Sequence, residues 1–331
     1  MYFLLGTSIT LALLLIANIG VAALMSVLWS VLAPRFGGLA ASAKAGLAFA
    51  LRTLPVGISI ALVFGYVLPA YLLHEPIQSG EAVSDKLGLI AALSSAAVLF
   101  AVYRVASTWV VTRRLVGRWI SNATAIAFDG CTVPVYRIEH EFPIIAVTGV
   151  IRPRLFIARQ VLDTLERQEL AASIAHEYGH MRARDNFKRT ILRFCRDLII
   201  LPVGRRLDRE WADAAESAAD EYAARAGRKG ALDLASALIK ITRIVPEHSV
   251  AAMPVATFLL GAKTADVTTR IRALLTMSDR NDLSAGSRRQ MSVIGLGCLA
   301  AVLAILVLPF FDTNVYVSTH NGIEAFVRLL Q

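Results

Sequence analysis

The stretch Glu169-Leu170-Ala171-Ala172-Ser173-Ile174-Ala175-His176-Glu177-Tyr178-Gly179-His180-Met181-Arg182 decides how the rest of the chain is read. Leu170, Ile174, Tyr178 and Met181 recur at spacings of four and three, so they fall on one face of a helix. Glu166 and Glu169 stand in its first turn and Arg182 and Arg184 in its last, which suits the helix dipole at both ends. Residues four apart on a helix lie about 40° apart in azimuth, so His176 and His180 project from one face toward one point. Glu177 lies about 100° round from His176, beside a metal ion held there without competing as a ligand. In this H-E-x-x-H pattern the two imidazoles are candidate metal ligands and Glu177 the candidate general base toward a water molecule.

A catalytic zinc needs a third protein ligand and one open position. The helix expected over Leu207–Ala226 offers Asp208, Glu210, Asp213, Glu216, Asp220 and Glu221. Glu216 stands out because Ala212, Ala215, Ala218, Ala219 and Ala223 surround it, and such small neighbours allow close packing on the histidine helix. It is the preferred ligand, with Asp213 as the alternative. Asp220, one turn further on the same face, is suited to hydrogen-bond the second nitrogen of a ligating histidine. His140 and His248 read as structural histidines more readily than as oxyanion donors, and Cys195 as a helix-packing thiol.

Upstream, Val133–Glu139, Pro143–Val147 and Arg154–Ala158 are short β-branched runs bounded by turn formers, so three strands are expected. Either of the last two is a candidate edge to which a peptide adds itself. Helices are expected at about Phe187–Ile200, Leu207–Ala226 with Gly227 as its cap, 231–244 and 264–276.

Outward from this domain the chain turns apolar. Of the 331 residues 56% are hydrophobic and only 18% charged, with a mean hydropathy of +0.58, where a soluble domain carries about a quarter charged residues. Residues 1–34 carry no charge and lack a basic leader, which argues for a span and against a signal peptide. Further uncharged stretches run from Thr53 to His74, Leu87 to Tyr103 and Gln290 to Phe311. The expected layout is a membrane region 1–111 with spans at about 3–31, 53–74 and 87–108, a domain 112–289, a fourth span 290–311 and a short tail 312–331. Residues 35–52 hold Arg35, Lys44 and Arg52 and no acid, whereas 75–86 hold Glu75, Glu81, Asp85 and only Lys86. Positive residues gather on the cytoplasmic side, which puts residues 112–289 inside and both termini outside. The net charge of +9 is then largely topological, and no direct nucleic-acid partner is expected. The 3 cysteines are too scattered for a disulfide framework, and Arg104, alone among the stretches, gives a transporter little to work with.

The segments Gly149-Val-Ile-Arg-Pro-Arg-Leu-Phe-Ile-Ala158, His176-Glu-Tyr-Gly-His180, Arg182-Ala-Arg-Asp185 and Glu216-Ser-Ala-Ala-Asp220 together resemble the BlaR/MecR-type integral-membrane zinc metallopeptidases. The resemblance implies three spans before the zinc domain and one after it, His176, His180 and Glu216 as ligands of one Zn2+ per chain, Glu177 as catalytic base and Asp220 as their support. It also implies a protein or peptide substrate, with a transcriptional repressor as the analogous one. Antibiotic-sensing members carry a large extracellular domain after the last span, and only 312–331 follow it here, so antibiotic sensing is not expected. Gly179 and the E-x-x-A-D arrangement are also similar to the HtpX and CAAX-protease branch, whose reading is quality control of membrane proteins. The expected fold class is a multi-pass α-helical membrane protein of four spans with an inserted α+β zinc metallopeptidase domain. It would sit in the cell (inner) membrane with the lipid bilayer as its second partner. A catalytically silent signalling protein would have lost Glu177 or a ligand, and all are present. Arg288-Arg289 is readable as a cleavage point, although the positive-inside bias accounts for the pair.

Overall fold

A computed structural model describes residues 1–36, 38–76, 82–128, 131–225, 228–245, 264–278 and 314–331, with a few isolated positions between 297 and 307. Among the described residues, three helical rods are long and apolar enough to cross a membrane. The first is α1 (Tyr2–Leu32), extended by a 3-10 turn over Ala33–Phe36. The second joins α2 (Ala41–Leu62), a π turn over Val63–Val67 and α3 (Leu68–His74) into one continuous rod. The third is α4 (Asp85–Ser121), whose start is capped by the Ser84 hydroxyl accepting from the Leu87 N–H at 3.3 Å. At 1.5 Å per residue α4 is far longer than the roughly 30 Å of a bilayer's hydrocarbon, and its C-terminal end enters the domain, where Trp119 packs in the core.

Two of these rods differ from their expected bounds. The second begins at Ala41, so Lys44 and Arg52 are helical and not part of a connecting loop. The third runs unbroken through Arg104 to Ser121, because nothing in Arg104–Ser121 breaks a helix and its charges face outward. The fourth apolar stretch, Gln290–Phe311, lies almost wholly outside the described residues, as do Gly227, His248 and Arg288-Arg289.

The domain begins with a four-stranded sheet. β1 (Thr124–Ile126), β2 (Val135–Ile138), β3 (Ile145–Thr148) and β4 (Arg154–Ala158) lie in the order β1-β2-β4-β3. β2 and β4 run parallel with Val135 opposite Leu155, while β3 pairs antiparallel with β4, Ile145 opposite Ile157. Gly149, at φ +95°, turns the chain between β3 and β4, where an added Cβ would meet the Arg152 carbonyl oxygen at 2.7 Å. β1 has no counterpart in the sequence reading, since three residues are too few to show an alternating pattern.

Helices follow the sheet: α5 (Arg159–Thr164), α6 (Arg167–Ala183), α7 (Asp185–Asp197), α8 (Arg205–Ala224), α9 (Arg228–Ile244) and α10 (Thr264–Ser278). Glu166 and Glu169 form a reciprocal capping box at the start of α6, so Glu166 is the cap and not a first-turn residue. Leu155, Phe156, Ile157, Ile174, Leu234 and Leu238 are buried in the core between sheet and helices.

α7 and α8 dock on the domain-side ends of the rods. Trp29, Ala45, Ala48, Leu192, Leu207 and Trp211 form one buried cluster there. Arg52, 1% exposed, donates from Nε to Asp208 Oδ1 at 2.9 Å, and Gly204 (φ +84°) lies so close to it that a Cβ would approach Arg52 Nε to 2.9 Å. At the opposite ends of the rods, α11 (Asn314–Leu330) packs Ile323 and Val327 against Leu5, Ile9, Tyr71 and Leu87.

Candidate metal centre

α6 and α8 meet at Gly179. A Cβ there would sit 2.9 Å from Ala219 Cα and 3.2 Å from Ala219 Cβ, so the helices approach this closely only because both residues are small. The close crossing carries the Glu216 carboxylate to the two imidazoles. His176 Nε2 lies 3.6 Å from Glu216 Oε2 and His180 Nε2 lies 3.6 Å from Glu216 Oε1, with the two Nε2 atoms 3.2 Å apart. One ligand atom from each residue falls within 4.8 Å of the others.

The far nitrogens are all taken. His176 Nδ1 donates to Asp220 Oδ1 at 2.9 Å, and His180 Nδ1 donates to Asp185 Oδ2 at 2.8 Å. With Nδ1 protonated on both rings, each Nε2 turns a lone pair inward. Two lone pairs and a carboxylate converging in a buried space repel one another unless a cation lies among them. The donor set of two imidazoles and one carboxylate, each imidazole backed by a carboxylate, suits zinc with a position left open.

The electrostatics point the same way. Burial would depress the His180 imidazolium, but the charge of Glu216 and the hydrogen bond to Asp185 outweigh it and push its pKa up to about 10. Glu216 is held well below the usual carboxylate range, because the nearby positive charges of His180 and Arg270 overcome its desolvation. The pocket therefore stabilises positive charge.

Glu177 is fully buried on the sheet side. Its Oε2 accepts the Val147 N–H at 3.0 Å, while Oε1 is buried with no hydrogen-bond partner. Burial raises its pKa, opposed by the nearby histidines and the Val147 N–H. β3, not β4, is the sheet edge at this point. Its outward carbonyl at Val147 accepts from Asn186 Nδ2 at 2.9 Å, so a peptide adding along this edge must displace Asn186 there. Beside His180 opens a cleft of about 470 Å³, walled by Val147, Val150, Pro153, Met181 and Phe187.

Asp213, the alternative ligand, is not in the cluster, and His140 accepts the Phe142 N–H at its Nδ1 beside Trp119, away from it. Cys195 is a buried free thiol whose pKa burial pushes up to about 11. Two residues escaped sequence reasoning. Asp185 sits just past Arg184, whose left-handed conformation (φ 56°) ends α6 and swings the chain back toward His180. Arg270 of α10 grips Asp220 with Nε at 2.9 Å and Nη2 at 2.6 Å and places Nη1 3.3 Å from Glu216 Oε2. The Arg182-Ala-Arg-Asp185 segment was a local signal for the first. No local signal exists for the second, 50 residues beyond its partner.

The sequence model of peptidase family M48 matches residues 146–322, a span that takes in every residue of this cluster. No curated protein matches the chain.

Proposed function

The chain belongs to peptidase family M48, whose match covers more than half of its 331 residues, and from that premise we propose that it is a membrane-embedded zinc metalloendopeptidase. Peptidases of this family are metal-dependent, and the three apolar rods mark the chain as a membrane protein. The observation that carries the reading is the convergence of His176 Nε2, His180 Nε2 and the Glu216 carboxylate, each imidazole oriented from behind by its own carboxylate.

His176, His180 and Glu216 would hold the ion, which supplies Lewis acidity toward a water molecule and the scissile carbonyl. Asp220 and Asp185 fix the two imidazoles in the tautomer with Nε2 free. Arg270 neutralises the excess negative charge of Asp220 and Glu216, so that four acids, Glu177, Asp185, Glu216 and Asp220, coexist around one site. Glu177, steadied through Oε2 by Val147, takes up a proton on its unpartnered Oε1 and returns it to the departing amine. The substrate backbone enters along β3, and the cleft beside His180 receives one of its apolar side chains.

The reading places the domain on the cytoplasmic side, with four spans and both termini outside. Supporting it are the basic residues on the domain side of the rods and the packing of α11 at their far ends. The substrate is a protein segment presented close to the bilayer: Phe187, Ile200 and Leu201 are exposed apolar residues on and just after α7, which docks on the rods. A transcriptional repressor and a damaged membrane protein are the two substrate types that the resemblances imply.

Comparison of membrane and soluble proteomes between cells carrying the native chain and Glu177→Gln separates these two. Glu177→Gln should lower proteolysis by about 10²–10⁴-fold with metal content near one ion per chain. Glu216→Ala should lower metal content itself. Retained cleavage in Glu177→Gln rejects the base, and unchanged metal in Glu216→Ala rejects the third ligand.

A further inference from the structure

Away from the metal centre, α7 carries a second concentration of charge. Arg189, Arg193 and Arg196 recur at spacings of four and three and so share a face, and Arg104 of α4 lies against them. Asp197, 7% exposed, is the acid among them: its Oδ2 lies 3.3 Å from Arg104 Nε and its Oδ1 3.6 Å from Arg196 Nε. Arg193 forms no ion pair among the described residues. Partial burial, and then the charges of Arg189, Arg196 and Arg104, lower its pKa. The Nε of Arg189 is buried without a hydrogen-bond partner while its guanidinium stacks over Trp211, 5.7 Å from the ring centre. Asp208, the other acid near Arg196, is paired with Arg52, so one acid remains against four guanidinium groups.

Between α4 and α7 this cluster borders a small cleft lined by Arg104, Val105, Thr108, Thr190, Arg193 and Asp197. Its depth along α4 identifies what reaches it. Leu99, Phe100, Val102 and Tyr103 are exposed apolar and aromatic side chains up to Arg104, and Trp109, 60% exposed, follows a turn and a half later. An exposed apolar surface ending in Tyr and Trp marks the boundary between hydrocarbon and head groups. Basic pockets at that level beside membrane helices hold anionic head groups.

We propose that the basic mouth of the cleft between α4 and α7 holds the phosphate of an anionic phospholipid, with Arg193 and Arg104 as its cationic partners and Thr108 as a hydroxyl donor. Charge-assisted hydrogen bonds from guanidinium groups suit a phosphate diester, and the acyl chains lie along the exposed Leu99 and Val102 side of α4. Inorganic phosphate offers the same head-group chemistry without that apolar contact. A nucleic-acid backbone offers the charge but has no acyl chains to lie along the exposed apolar side of α4.

The test uses the purified full-length chain in nanodiscs of phosphatidylcholine with rising phosphatidylglycerol, and lipid retained after extraction is counted by native mass spectrometry. The native chain should retain phosphatidylglycerol over phosphatidylcholine. Arg193→Gln should weaken that retention about fivefold, the effect of one basic residue at an anionic surface, and Arg193→Lys should recover most of it. Arg159→Gln, an exposed arginine on the sheet side of the domain, should leave it unchanged. Equal retention in the native chain and Arg193→Gln overturns the site, as does an equal loss in Arg159→Gln. Displacement of the lipid by inorganic phosphate at matching concentration overturns the lipid as its ligand. If Arg193→Gln does not fold, Arg104→Gln, whose side chain is 44% exposed, reads the same cleft with the same expected loss.

Discussion

Asp220 shows how much one carboxylate accomplishes in this site. Its Oδ1 accepts from both His176 Nδ1 and Arg270 Nη2, so it orients a ligand and anchors the arginine that offsets the surrounding acids. Arg270 holds its pKa below the usual range against the cost of burial. Asp220→Asn keeps the shape but removes the charge and one acceptor. Loss of a carboxylate behind a metal-bound histidine typically costs about 10–100-fold in metal affinity, and competition with a chelating dye should show a loss in that range. Affinity equal to the native chain would mean that His176 needs no such support. Sequence reading reached Asp220 because it lies one helical turn from Glu216. It did not reach Arg270, because an ion pair between separate helices leaves no trace in local spacing.

At the level of elements, the decisive contact is the crossing of α6 on α8. The period-four pattern in Leu170–Met181 made α6 legible, and the alanines of α8 signalled a close neighbour. Gly179 sets how close. Gly179→Ala adds a methyl where the Ala219 backbone already stands at 2.9 Å, and overpacking of this kind costs about 1–3 kcal/mol. Because the strain is relieved by parting the helices, metal content should fall together with thermal stability. A variant that loses stability and keeps its metal would show that Glu216 is positioned by other contacts. Smaller matters escaped the sequence for local reasons: the capping box moved Glu166 outside α6, and the left-handed Arg184 ended the helix at a residue type that seldom adopts that conformation.

For the molecule as a whole, the domain and the rods form one packed unit. α8, which carries Glu216, is tied at its first turn to α2 through Arg52 and Asp208 and along its length through Lys44 and Glu210 at 3.1 Å. Reporter fusions after Leu73 and after Gln331 should both report the side opposite the domain, and a fusion after Ile244 should report the domain side. A C-terminal fusion on the domain side would reduce the spans to three.

The sequence by itself determined the apolar rods and the helical placement of His176, Glu177 and His180, and preferred Glu216 over Asp213 as their partner, because each is written in periodicity or composition over a short distance. Only the tertiary structure decided which strand lies at the sheet edge, that α4 runs on into the domain, and that Asp185 and Arg270 complete the charge balance around the cluster of His176, His180 and Glu216. These depend on packing between segments far apart in the chain, and no pattern confined to one segment records which distant partner it will meet.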